Sequence, residues 1–155
     1  MTCASHAVGK AILEILDSLG WDAEQQSIID ALISKVQPHG QPENPDIFNN
    51  KEIKVRVFLR SRSYLIKIKI KIQPHFKTIP KMWMVLDPKV RMVLRWKLGK
   101  YAAHAIYARH WDTVTGKYNC INSWGSRLPL CQIRKSDIEA IYCVSLKRAQ
   151  ILKTV

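Results

Sequence analysis

The sequence predicts an α+β fold in which two N-terminal helices pack against a C-terminal antiparallel, barrel-like sheet. Three observations predict it. Apolar residues recur at three- and four-residue steps up to Val36 and at two-residue steps from Glu52 onward. The stretch between, QPHGQPENPDIFNN over 37–50, holds three prolines, a glycine and three asparagines, and reads as the crossing between two parts. The charge also changes sign there. Residues 1–50 hold Lys10 and Lys35 against seven acidic residues, while the chain as a whole carries a formal charge of +13. At 155 residues this is one domain by size, divided into a helical lobe (1–36), a loop crossing (37–50) and a β lobe (51–155).

The first helix opens at Met1–His6 and runs through AVGKAILEILDSLG, with Val8, Ile12, Ile15, Leu16 and Leu19 on one stripe and Gly20 ending it. The second runs from Asp22, a plausible N-cap, to about Val36. Beyond Glu52, Ile53, Val55 and Val57 alternate with charged residues. Ile66, Ile68, Ile70 and Ile72 then alternate with Lys67, Lys69 and Lys71, so one strand face is buried and the other is a lysine ladder. That ladder suits a solvated face that discourages edge pairing, or non-specific polyanion binding. Residues 80–98 contain two apolar bursts separated by Asp87-Pro88. They read as strand, turn, strand, with a short helix from Pro88 as the rival.

The next segment, HAIYARHWDTVTGKYNCINSWG over 104–125, reads as a hairpin. Ala105–Ala108 form one strand run, Val114–Lys117 the turn, and Tyr118, Cys120 and Ile121 the returning strand. His104 and Asn122 then meet at its open end, where a carboxamide can fix the tautomer and plane of an imidazole without adding charge. Trp124 stands close enough to keep water off that bond. After a loop over 125–129, Ile141–Val144 reads as the last strand, followed by a basic tail.

The order His-Ala-hydrophobic followed by Asn122-Ser123-Trp124-Gly125 resembles the second half of the papain-like cysteine peptidases. The resemblance covers roughly residues 3–19 and 101–126. It implies a papain-like fold, a thiol protease activity on peptide or amide bonds, and a catalytic set of Cys3, His104 and Asn122, with Trp124 as the shield. Cys3 lies in the first turn of the first helix, where unpaired N–H groups and the helix dipole favour a thiolate. His6, one helical turn on, is expected to pack beside the site, not to serve as the base. In two respects the chain departs from that family. Only Met1 and Thr2 precede Cys3, so the upstream glutamine that supplies an oxyanion donor is lacking, and the chain is short. A papain-fold protein that binds without cleaving, and a basic nucleic-acid or protein interaction module, are the alternatives. Gln25, Gln26, Gln37, Gln41 and Gln73 are candidates to bring the missing donor from elsewhere.

Other classes find no support in the sequence. There is no apolar run of 18 residues and no basic segment leading into an apolar one at the start, so a membrane span or signal peptide is not expected and the cytoplasm is the default location. Cys3, Cys120, Cys131 and Cys143 lack CxxC spacing, which argues against zinc. Pairing among the last three stays open. No phosphate-cradling glycine loop, paired carboxylates or internal repeat is present, and no cofactor is expected.

Overall fold

A computed structural model describes residues 2–36, 44–75, 89–97, 103–122 and 130–155. Its centre is an antiparallel eight-stranded sheet. In chain order the elements are α1 (Cys3–Ser18), β1 (Asp22–Ala23), α2 (Gln25–Val36), a 3₁₀ turn (Pro45–Phe48), β2 (Glu52–Leu59), β3 (Arg62–His75), β4 (Arg91–Lys97), β5 (Ala103–Asp112), β6 (Lys117–Ile121), β7 (Leu130–Ile133), a second 3₁₀ turn (Lys135–Asp137) and β8 (Ile138–Thr154). The strand order is β1-β2-β3-β8-β4-β5-β6-β7.

Two apolar clusters explain two kinds of strand. β2 and β3 alternate strictly because only one face is covered: Ile53, Val55, Val57, Ile66, Ile68 and Ile70 pack under the helices, while the residues between them face outward. β4, β5 and the first part of β8 read as continuous apolar runs because both their faces are buried. Val93, Tyr107 and Val144 join the helix-side cluster, whereas Leu94, Ile106 and Cys143 join a second cluster on the opposite face with Tyr118 and Ile133. The sheet therefore curls around that second cluster at its β5–β7 end.

α1 buries Ala4, Val8, Ala11, Ile12, Ile15 and Leu16 on one stripe, each large aliphatic contributing about 1.5–3 kcal/mol. Gly9 lets α2 approach: a Cβ there would stand 2.8 Å from Ile29 Cγ1. Leu32 and Val36 of α2 and Phe48 of the first 3₁₀ turn complete the same cluster.

These facts overturn the papain-like α+β fold expected from the sequence. The architecture is a curled antiparallel sheet with two helices laid on one face, a different class from an N-terminal helical unit that carries the nucleophile and faces a β lobe. The physical reason is that two short helices bury one stripe each and cannot close a core alone. They share theirs with β2, β3, β5 and β8. Even the connection between the helices joins the sheet, for Asp22 and Ala23 pair with Phe58 and Val57. Asp22 is thus a strand residue and not the cap of α2, which starts at Gln25.

Two further expectations change. Pro45–Phe48, expected as loop, is a 3₁₀ turn with Phe48 fully buried. The supposed basic tail is most of β8, which runs for 17 residues between β3 and β4. The second apolar burst of 80–98 forms β4, a strand and not a helix. Its first burst, with residues 37–43, lies outside the described residues.

Candidate functional site

The chain's local physics brings three side chains together. α1 starts at Cys3, and the Thr2 carbonyl accepts from the His6 backbone N–H at 3.0 Å, so the thiol hangs from the first turn of a 16-residue helix. β5 starts at Ala103, so His104 leaves the sheet at the end that abuts α1. β6 returns antiparallel, with Ile121 opposite Tyr107, so Asn122 falls on the sheet face that also carries Ile106 and His104.

His104 Nε2 donates to Asn122 Oδ1 at 2.9 Å. A carboxamide oxygen only accepts, so Nε2 carries the proton and Nδ1 is left with the lone pair. The imidazole is 2% exposed and is paired in register with Trp96, whose ring centre lies 6.4 Å away. A partly buried, tilted indole on the neighbouring strand covers one side of the imidazole.

Cys3 is partly buried and is a free thiol. Its pKa is held below the ordinary thiol value of 9.0, first by a hydrogen bond with the His104 side chain. The Ala105 and Ala4 backbone N–H groups and the charge of a protonated His104 add to the effect, against a desolvation cost that pushes the other way. The other three cysteines are shifted upward by burial, Cys143 to about 12. Among four thiols, one alone is biased toward the nucleophilic form.

His6 is occupied elsewhere. Its Nδ1 donates to the Thr2 carbonyl at 2.8 Å and lies 3.1 Å from Thr2 Oγ1, tying the histidine to the start of α1. Trp124, together with Ser123 and Gly125, lies outside the described residues, as do Gln37 and Gln41. Gln25, Gln26 and Gln73 are exposed. Gln73 stands on β3, with β8 and β4 between it and β5, and Gln26 donates to Asp30 at 2.9 Å. None of these three is drawn toward Cys3. Two contributors were missed from the sequence: the Ala105 N–H, which has no side-chain signature, and Trp96, whose place beside His104 follows only from strand register. Among the described residues no three His, Cys, Asp or Glu side chains converge on a metal position, and no helix is long and apolar enough to cross a membrane.

No protein-family model, curated protein or solved structure matches this chain. The site must therefore speak through its own chemistry. A thiol biased toward thiolate, an imidazole with a fixed tautomer and an amide that fixes it can support nucleophilic acyl transfer; Cys3 is held by α1, His104 by β5, and Asn122 follows β6.

Proposed function

We propose that the chain is a thiol hydrolase acting on acyl compounds, peptide or amide bonds among them, with Cys3 as nucleophile, His104 as general base and acid, and Asn122 as the residue that positions His104. One observation carries the reading: the Cys3 thiol and the Asn122 carboxamide engage the same buried imidazole. In the proposed cycle the thiol proton passes to His104 Nδ1 and the sulfur attacks the substrate carbonyl. The protonated imidazole then gives that proton to the leaving amine or alkoxide, and water, deprotonated by His104, releases the acid. The Nε2–H bond to Asn122 persists throughout and keeps Nδ1 aimed at the sulfur.

The test is covalent labelling followed by turnover. A peptide carrying an electrophilic carbonyl warhead should modify Cys3 faster than Cys120, Cys131 and Cys143, and His104→Ala should abolish that preference. An activated thioester should be hydrolysed by the native chain and not by Cys3→Ala. Labelling of Cys3 at the rate of a free thiol, or turnover that survives Cys3→Ala, overturns the proposal.

A further inference from the structure

The outer face of β2, β3 and β8 lies away from this site, and among the described residues no element covers it. Register sets its rows. Lys54 lies directly opposite Lys67, Lys69 lies between Glu52 and Arg148, and Lys71 faces Ser145. Arg56 extends the same face along β2. Glu52 is the acidic residue of these rows, and its carboxylate is shared between Lys67 at 3.8 Å and Arg148 at 3.4 Å. Lys54, Lys69 and Lys71 make no ion pair among the described residues. Like charges directly opposite on a sheet destabilise it, and a surface that needed only solubility would intersperse both signs. This face instead concentrates positive charge on β3 and the adjoining parts of β2 and β8, with Glu52 and, opposite Phe58, Asp22 as its carboxylates among the described residues. The concentration continues around the edge of β2 into an open groove of about 400 Å³ where Lys35 joins Lys54 and Lys67.

We propose that this face is an electrostatic docking surface for single-stranded nucleic acid, bound through its phosphates without sequence preference. Charge complementarity with a polyanion is the first argument. Spacing is the second: Lys67, Lys69 and Lys71 follow one another at about 6.6–6.8 Å along β3, close to the step between successive phosphates of an extended single strand. The third is Phe58. It is 45% exposed on the same outer face, two residues from Arg56, and offers a ring on which an unpaired base can stack beside a guanidinium. A bilayer would call for an apolar rim to insert, and the rows of this face are built of charge.

Anisotropy of a labelled oligothymidine measured from low to moderate salt tests the proposal. The logarithm of affinity should fall linearly with the logarithm of salt. The K67Q/K69Q/K71Q variant should bind at least about tenfold more weakly, with a slope shallower by about 2, three contacts at roughly 0.7 each. A second variant of equal charge, K97Q/K117Q/K135Q, should change affinity by less than about threefold, and so should Cys3→Ala, which separates this surface from the hydrolase reading. Circular dichroism on both triple variants checks that the sheet persists. Equal losses in the two triple variants would show net charge at work and overturn the assignment. So would absence of binding at low salt, or ladder-dependent binding to phosphatidylserine vesicles with none to the oligonucleotide.

Discussion

At the scale of single residues, the depressed pKa of Cys3 has a definite pH signature. A lowered pKa means that thiolate persists as pH falls below the ordinary value of 9.0 and is lost only when pH passes the folded-state pKa. Alkylation by iodoacetamide, followed residue by residue with mass spectrometry, should therefore leave Cys3 reactive on the acidic side of a free thiol, while buried Cys120 and Cys143 stay silent and half-buried Cys131 reacts only at higher pH. Because His104 is the largest lowering cause, His104→Ala should move the Cys3 profile back up. If His104 is the general base proposed above, its loss should also cost about 10²–10⁴-fold in turnover. Asn122→Ala should lower turnover by less and move the thiol profile part of the way up, because the ring is no longer held with Nδ1 toward the sulfur. Amides should be poor substrates beside activated esters if none of the described glutamines, all exposed, serves as an oxyanion donor, because losing one such donor typically costs about 10²–10³ in rate. Turnover on matched ester and amide substrates measures that gap, and equal rates would show an oxyanion donor supplied from another part of the chain. That Cys3, His104 and Asn122 would meet could be read from the sequence because the resemblance paired the first two and a hairpin explains the meeting of the last two. Trp96 and the Ala105 N–H could not. One needs the β4–β5 register, and the other is a backbone group common to every residue.

Among the elements, the β2–β3 hairpin turns on Arg60 and Ser61 at φ of 49° and 66°. Two-residue hairpin loops want positive φ at both positions, which Asn and Gly adopt readily and Arg and Ser do not. Arg60→Asn with Ser61→Gly should stabilise the fold by about 1 kcal/mol and raise the melting temperature by a few degrees. The same atypical pair hid the turn, since neither residue is a turn signal. Gly9 works in the opposite sense. Gly9→Ala gains helix propensity yet sets a methyl 2.8 Å from Ile29 Cγ1, and overpacking costs about 1–3 kcal/mol, so a net loss is expected in urea unfolding. β8 was hard to read for a related reason. Its pairing with β3 slips between Leu65 and Ile66 and again between Lys69 and Ile70, and each slip resets which residues face inward. Leu146, Ala149 and Ile151 then fall opposite inward residues of β3 without any steady two-residue rhythm, and of these only Leu146 packs against the core. Where no slip intervenes, as in Ile66–Ile72, the strand was plain from sequence.

For the whole molecule, a single cluster runs through α1, α2 and six strands or turns, which leaves no seam between a helical half and a β half. Ile12→Ala and Ile68→Ala sit on opposite sides of it. Each should cost about 2–5 kcal/mol and lower one transition, seen at the same denaturant concentration by far-ultraviolet circular dichroism and by tryptophan fluorescence. Two separated transitions would restore a lobed picture. The helix-to-strand change of period was legible because it is local, whereas the strand order was not, because it depends on pairings between residues up to about a hundred positions apart. That order has a consequence for how the protein is made. β8 carries the latest strand residues of the sequence, yet it sits in the middle of the sheet with β3 on one side and β4 on the other. While a ribosome is still translating residue 138, both neighbours present open edges, and the isoleucine face of β3 has only half its partners. Completion of this sheet must wait for β8 to leave the exit tunnel. During that interval the two waiting edges are the surfaces a chaperone would have to shield.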